Sequence, residues 1–267
     1  MIREITVLIY TRNEEINITE CIKSARLLSD QIIVIDMESN DRTIEIAKKL
    51  RANIISFPYL HYVEPARKFG IEKAATDWVF ILDADERITP ELAAEIGKII
   101  NLESRIQNSE LAADNLKFAA YCVPRKNIFG KKKWLKHGGW WPDRQIRLIN
   151  KKHFVDWPKE IHSTPRINGN RGYLKQPLLH YFHGDLASMV DKTLIFEKIE
   201  SDLLYKADRS ATTLTFFRKF SGELFRRLVK QAGFMDGKIG IIESIYQAFS
   251  KTVTYLFLYE KKNRRTL

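Results

Sequence analysis

The chain has 267 residues, 45% hydrophobic and 29% charged, which excludes disorder as the dominant state and suits one large domain or a domain with an appendage. Eight prolines and twelve glycines exclude collagen-like and low-complexity classes. Two cysteines, Cys21 and Cys122, exclude a disulfide scaffold and fit a reducing cytosol, and the net charge is +11.

Elements follow one another with short connections. Ile5–Tyr10 (ITVLIY) is a continuous β-rich apolar run, as in a strand buried on both faces. It reads as a first strand rather than a signal peptide. After a polar turn, Thr11–Glu15, residues Ile16, Ile18, Ile22 and Ala25 keep a helical spacing to about residue 28. Ile32–Ile35 is a second buried strand ending at Asp36. Ser39, Asn40 and Asp41 are N-cap residues for a helix from about Thr43 to Arg51. Asn53–Phe57 is a third strand, Pro65 opens a helix from about Ala66 to Ala75, and Trp78–Leu82 is a fourth strand. Thr89-Pro90-Glu91 starts a helix over about residues 90–102.

This alternation predicts an α/β fold: a mostly parallel sheet with helices on both faces. Ligands of such sheets bind beyond the carboxyl ends of the strands. Thr11–Glu15, Asp36 and Asp83–Glu86 therefore share one edge. Beyond residue 116, Phe118–Pro124, Gln145–Ile149 and Leu174–Phe182 read as strands, and amphipathic helices follow from about Leu186. The division predicted is 1–185 as the catalytic domain (1–116 the nucleotide half, 117–185 the acceptor half) and 186–267 as a helical extension.

Charge follows the same division. Residues 1–116 hold 14 Lys and Arg against 20 Asp and Glu, whereas residues 117–175 hold 15 against 3. The basic stretch suits an anionic partner. Nucleic acid is one reading of it, but the chain has no recognition-helix, RRM or zinc signature. The sequence contains neither G-x-G-x-x-G nor a P-loop. No window reaches about 18 uncharged apolar residues, so nothing here is expected to span a bilayer.

Asp83-Ala84-Asp85-Glu86 ends an apolar strand, where crowded acids raise one another's pKa. A divalent cation relieves that cost, and hard oxygen ligands suit Mg2+ or Mn2+. In an extended D-x-D both Asp side chains point the same way. Helix capping by Asp85 or Glu86 is the competing reading.

TVLIYTRNEE, VIDMESNDRT and ARKFGIEKAATDWVFILDADE, in this order and spacing, resemble family 2 glycosyltransferases of the GT-A fold (nucleotide-diphospho-sugar transferases), closest to WaaE-type lipopolysaccharide core enzymes. HYFH near residue 180 and GFMDGKIG near 234 agree less specifically. The resemblance implies that Thr11, Arg12, Asn13 and Glu14 wrap the base and ribose, and that Asp36 faces uracil. It places Arg67 near base and diphosphate, Asp83 and Ala84 at the ribose, and Asp85 on the metal. Lys68 departs from the family's Asn. A late His, His180 or His183, is a further metal ligand in some GT-A enzymes.

Inverting transfer needs a base for the acceptor hydroxyl. Residues 117–175 contain only Asp143, Asp156 and Glu160 as acids. Relatives place a Val-His-Glu turn near WPKEIHS; here His162 aligns with that His and Ser163 with its Glu. Glu160 is chosen as the base, with Asp143 and His162 as fallbacks; pairing of Glu160 with a lysine is the alternative. Trp141, Arg144 and Arg147 are assigned to the acceptor pocket, since Trp faces stack on sugars and Arg clamps phosphates, although core packing explains Trp141 nearly as well.

Lys131-Lys132-Lys133-Trp134-Leu135-Lys136 and the aromatic and basic residues from Phe216 to Arg265 suit an anionic membrane surface; a homodimer interface would give the same stripe. The expectation is thus a metal-dependent hexosyltransferase, cytoplasmic and peripheral at the inner face of the membrane. It would transfer from a nucleotide sugar, UDP-linked by resemblance, to a glycan or lipid-linked acceptor. A polyprenyl-phosphate glycosyltransferase, a nucleotidyltransferase and a nucleic-acid-binding protein are the alternatives.

Overall fold

The computed structural model describes residue 2 and residues 4–107, 118–130, 132–182 and 186–263. In chain order the elements are β1 (Ile5–Thr11), α1 (Ile18–Ala25), β2 (Ile32–Asp36), α2 (Thr43–Lys49), β3 (Asn53–Ser56), α3 (Glu64–Lys73), β4 (Trp78–Asp83), β5 (Glu86–Arg87) and α4 (Pro90–Gln107). There follow β6 (Ala120–Phe129), β7 (Lys133–Trp134), β8 (Asp143–Asn150), β9 (Phe154–Asp156), β10 (Arg166–Ile167), β11 (Arg171–Tyr173) and β12 (Leu178–Phe182). Helices α5 (Leu186–Lys206), α6 (Thr213–Phe225) and α7 (Gly237–Asn263) close the chain. His183, Lys131 and Arg265, singled out above, lie outside the described residues. Two compact units result: Met1–Arg125 with Arg144–His180, and Lys126–Asp143 with Tyr181–Leu267.

The sheet runs β3-β2-β1-β4-β8-β6-β12-β5. β1 is parallel to β2 and β4, and β2 to β3, while β8 joins β4 antiparallel. This is the mixed, mostly parallel sheet expected. β1 is buried along its whole length, so its period of two serves two cores. Ile5, Val7 and Ile9 pack with Ile18 and Ile22 of α1, Ala47 of α2 and Leu92 and Ile96 of α4. Leu8 and Tyr10 pack with Ala66 and Ile71 of α3 and with Trp157. Strands with both faces covered must be apolar throughout, which is why ITVLIY and WVFIL carry no alternation.

The third core strand is less covered: β3 lies at the sheet's edge with both ends exposed. Several boundaries differ from expectation, three of them with a clear physical reason. β4 continues to Asp83, because Ala84 N–H donates to the Tyr10 carbonyl and keeps the ladder going. α3 begins at Glu64, with Pro65 in its first turn, where a missing N–H costs nothing. The run 174–182 is not one strand: β11 ends at Tyr173 and β12 begins at Leu178, with a turn between held by the Glu95 carboxylate, which accepts from the backbone N–H groups of Lys175 and Gln176.

In the second unit α7 packs on α5 and α6. Its buried Ser250 and Thr254 hydroxyls donate to the Glu197 carboxylate of α5. G-x-x-D-G-x-x-G (233–240) has a physical role here. A Cβ on Gly240 would meet the Gly233 carbonyl oxygen at 2.0 Å, so only glycine permits this crossing. The same turn offers Asp236, whose Oδ2 accepts from the backbone N–H groups of Lys136 and His137 at 2.8 and 2.7 Å, while Oδ1 stands 3.1 Å from His137 Nδ1. The Lys- and Trp-rich stretch is ordered around Trp134, with Lys126 and Lys136 ammoniums 4.8 and 4.6 Å from its ring and Trp141 edge-on at 5.4 Å.

Glu243 of α7 is fully buried and neither carboxylate oxygen meets a hydrogen-bond donor. Burial pushes its pKa up to about 7, the nearby Gln247 amide and Arg227 guanidinium drawing it only partway back. A folded-state pKa above the unfolded value adds stability below the unfolded pKa, which is lost as pH rises through about 7. Glu243→Gln should therefore remove this pH dependence and raise stability at pH 8 by about 3 kcal/mol. Urea titrations of both proteins at pH 5 and pH 8 measure it; an equal change at both pH values would refute the assignment.

Candidate functional site

Thr11, Asp36 and Asp83 reach one edge of the sheet, since Thr11 pairs in register with Asp36 and Tyr10 with Asp83. The loop after β1 is zipped to the loop after β2. Asn13 N–H donates to Ser39 Oγ, Asn40 N–H to Asn13 Oδ1, Glu14 N–H to Thr43 Oγ1 and Glu15 N–H to Asp41 Oδ2. Asp41 Oδ1 also accepts from Thr43 N–H in an Asx turn just ahead of α2, whose N-cap is Arg42 and not one of the expected residues. Arg12 lies 3.5 Å from the Tyr59 ring centroid. Glu14 Oε2 accepts from Asn17 Nδ2 at 2.7 Å.

Asp36 is buried, with Oδ2 accepting from Ser39 N–H and Oδ1 without a protein partner. The neighbouring Thr11 Oγ1 is likewise buried without a partner.

Asp83 lies between two arginines. Arg67 Nη2 of α3 donates to Oδ1 at 2.7 Å, and Arg147 Nη2 of β8 to Oδ2 at 2.8 Å. Arg147 also donates to Glu86 Oε1 at 2.5 Å, and Arg125 lies 3.4 Å from the same oxygen. Glu86 Oε2 accepts from Asp83 N–H. Burial alone would raise the Asp83 carboxyl, but the two guanidiniums outweigh it and hold it well below the usual carboxylate range. These acids are thus compensated by arginines, not by a cation alone as their crowding suggested.

The D-x-D expectation needs a second correction. The chain turns at Ala84 and Asp85, so the motif is not extended and its two carboxylates have different partners. Asp85 Oδ2 stands 3.4 Å from His180 Nε2, brought there because β12 pairs β5 with His180 opposite Glu86. Both are largely buried, and an oxygen and an imidazole nitrogen fit a divalent cation that shares its remaining positions with a diphosphate. Among the described residues no three His, Cys, Asp or Glu side chains converge on a metal position.

Arg67 is set by close packing. A Cβ on Gly70 would meet Tyr10 Oη at 2.3 Å, so glycine lets α3 approach β1. Tyr10 Oη donates to the Arg67 carbonyl at 2.9 Å, and the guanidinium lies 4.6 Å from the Tyr10 ring and 5.6 Å from the Trp157 ring.

The loop with the expected base is fastened to α3 at two further points. Lys68 Nζ pairs with Asp156 at 3.0 Å, which gives the departure from Asn a structural role. Glu64 Oε1 accepts from His162 N–H at 2.7 Å, where His162 adopts a left-handed φ of 60°. Nothing in the sequence marked Glu64, because its bond spans 98 positions. Glu160 is exposed and lines a groove of about 540 Å³ with Phe57, Lys68, Phe69, Trp157 and Arg166; Asp83 and Asp85 are not among its walls. No ion pair engages Glu160 among the described residues.

The residues expected at the acceptor have different surroundings. Arg147 is buried against Asp83 and Glu86. Arg144 is exposed, 5.2 Å from the Tyr173 ring. Trp141 packs on Trp134 within the second unit, where Asp143 Oδ2 accepts from Asn127 Nδ2 at 3.1 Å.

Residues 6–103 match Glycosyl transferase family 2. They carry a domain of that kind, and with it the chain is a glycosyltransferase enzyme. An uncharacterized glycosyltransferase of Rickettsia typhi is 28% identical over 260 residues, 93% of this chain and 84% of the relative. One of Rickettsia conorii is 25% identical over 265 residues, 93% of this chain and 87% of the relative. Among solved structures, S. aureus TarS 1–349 in complex with UDP aligns over 99% of this chain and 92% of its own, at 12% identity and a TM-score of 0.49. Glucosyl-3-phosphoglycerate synthase from Mycobacterium tuberculosis, in complex with Mn2+, UDP and glucosyl-3-phosphoglycerate, aligns over 78% of this chain and 81% of its own, at 14% identity and a TM-score of 0.46.

Arg147 is 4% exposed and neutralises two carboxylates. Arg147→Met keeps the stem but leaves Asp83 and Glu86 with less counter-charge, which should cost about 3–5 kcal/mol at pH 7. The stability that Asp83 contributes through its lowered pKa is present above its unfolded value, about 3.9, and lost as pH falls through the folded one. The cost of the mutation should therefore shrink between pH 7 and pH 2, nearly all of it below about pH 4. Denaturant unfolding at both pH values checks this; a penalty independent of pH would show that only packing was lost.

Proposed function

We propose that this glycosyltransferase is an inverting, metal-dependent hexosyltransferase that uses a UDP-linked donor and a glycan or lipid-linked acceptor in lipopolysaccharide or other surface-polysaccharide assembly. Residues 1–185 serve catalysis and 186–267 form a helical extension. The motifs of the first half, similar to lipopolysaccharide core enzymes, support the choice of pathway.

One observation carries the reading. At the carboxyl edge of the sheet, Asp36 Oδ1 and Thr11 Oγ1 are buried without a partner among the described residues, as are Arg12 Nε after β1 and Arg67 Nη1 of α3. Each such group left unpaired costs about 1–3 kcal/mol. A nucleoside diphosphate satisfies both kinds. Asp36 Oδ1 accepts from an N–H of the base, and the loop Thr11–Glu14 wraps base and ribose. Asp83 keeps lone pairs for a ribose hydroxyl beside Ala84, and Arg67 Nη1 donates to the diphosphate.

Asp85 and His180 are the residues that would hold Mg2+ or Mn2+. Bound there with the diphosphate, the ion supplies Lewis-acid stabilisation of the leaving group. Arg67 adds a fixed cation on the same side, so negative charge moving onto the diphosphate meets a preorganised donor.

In the transfer, the bond from the anomeric carbon to the diphosphate oxygen breaks as the acceptor oxygen bonds to the opposite face. The acceptor proton passes to a side-chain base, for which Glu160 is the first choice and Asp143 and His162 the others. The exposed Glu160 and its lack of an ion pair among the described residues support that order. Glu64 is a positioning residue: it holds the turn at His162, while Arg67, one helical turn on, contacts both Trp157 and Asp83.

Calorimetry with UDP, with and without Mn2+, tests the site. Asp36→Ala should weaken UDP binding about tenfold, the loss of one buried hydrogen bond to the base. Asp85→Ala should bind UDP without metal as the parent does and gain nothing from Mn2+. No UDP binding by the parent would overturn the donor assignment; an undiminished Mn2+ effect in Asp85→Ala would overturn the metal assignment alone.

A further inference from the structure

Helix α6 packs on α7 with one side, where the Phe216 ring lies 6.2 Å from the Tyr259 ring and the Lys219 ammonium 5.1 Å from the Tyr255 ring. Its other side is apolar too. Leu214, Phe217 and Phe225 are 67%, 68% and 61% exposed. At about 100° per residue these three fall within about 80° of the helix circumference, with Arg218 at the edge of that arc. The apolar surface continues through the turn that follows. Val229, Phe234 and Met235 are exposed, as are Ile241 and Ile242 near the start of α7. A helix held within a protomer needs one apolar face, so a second one calls for something outside it.

Charge identifies the partner. From the start of α6 to the middle of α7, residues 213–251 hold seven Lys and Arg against three acids. Glu223 is paired with Arg226 and Arg227, Asp236 is buried against the N–H groups of Lys136 and His137, and Glu243 is fully buried. Arg218, Lys230 and Lys238 are exposed, and no ion pair engages them among the described residues. Solvent therefore meets large apolar side chains and cations together. A second copy docked about a two-fold axis would bring like charges together, and the cores of protein interfaces are depleted of lysine. Nucleic-acid phosphates would take the cations and leave the phenylalanines unused. An anionic lipid surface takes both, the apolar groups at the acyl boundary and the cations among the headgroups. Among the described residues no helix is long and apolar enough to cross a membrane, so the face meets lipid in plane.

We infer that the outer face of α6 and the turn leading into α7 bind an anionic phospholipid surface. Phe217 and Phe225 enter the headgroup–acyl boundary, and Arg218, Lys230 and Lys238 lie among the headgroup phosphates. The inference is independent of the donor, metal and base assignments.

Flotation of the full chain with lipid vesicles tests it. Equimolar phosphatidylcholine–phosphatidylglycerol vesicles should bind the parent at least about tenfold more tightly than phosphatidylcholine alone, and added salt should weaken that binding. Lys230→Gln should lower the partition coefficient about fivefold, and Lys238→Gln should do the same. Phe217→Ser together with Phe225→Ser should lower it at least about tenfold, a loss that adsorption by charge alone would not show. Far-UV circular dichroism and the thermal midpoint should match the parent's, since every substituted side chain is exposed. Leu214→Ser, in the first turn of α6, is a second apolar variant should the phenylalanine pair fail to fold.

A parent that does not float, equal binding to both vesicle types, or binding that survives the apolar or the lysine variants overturns the proposal. So does a parent dimer, seen by sedimentation equilibrium without lipid, that dissociates when Phe217 and Phe225 are replaced; that result would assign the face to a second copy.

Discussion

Asp83 between Arg67 and Arg147 is the interaction on which the site depends. The carboxylate ends a buried strand, where an unpaired charge is costly, and the two guanidiniums come from α3 and β8, opposite sides of β4 in the chain. Arg147 extends the arrangement to Glu86, and Arg67 extends it to Tyr10 and Trp157. One charge cluster therefore fixes how the strand edge, the helix and the loop 154–162 meet. Arg147 holds two acceptors, Asp83 and Glu86, through Nη2, and Arg67 holds Asp83 through one nitrogen.

Satisfying the acids with arginines changes how the site is understood. Three carboxylates in DADE suggested relief by a cation, yet Asp83 and Glu86 are already neutralised by the protein. Asp85 instead faces His180, 3.4 Å away. The acids of the motif are thus divided between a pair held by arginines and one beside an imidazole. The turn at Ala84–Asp85 makes the division, since an extended backbone would have directed both Asp side chains alike.

The second unit solves a different problem. Its basic and aromatic residues partly consume one another: Trp134 takes two lysines, Arg227 Nη1 donates to the Gly138 carbonyl, and Asp236 caps the loop at Lys136 and His137. Exposed apolar residues of α6 and α7, among them Leu214, Phe217, Phe225 and Phe249, stand among exposed cations such as Arg218, Lys219 and Lys238. Exposure of large apolar groups in an ordered stripe differs from the scattered apolar atoms of any protein surface.

Much of the first half was legible in the sequence. Continuous apolar runs marked the doubly covered strands, capping residues marked helix starts, and the acids after each strand marked the binding edge, all because these signals act over a few residues. Other features were decided only by tertiary structure, since they join positions far apart in the chain. Arg147, read as an acceptor residue, is a buried counter-ion 64 positions from Asp83, and Glu64 holds a turn 98 positions away. No local periodicity encodes such pairings; they arise when packing brings two desolvated groups within reach. The amino-acid order by itself determined which segments become strand or helix and which edge collects polar groups. The folded chain decided which of those groups neutralise one another and which keep buried atoms unpaired among the described residues.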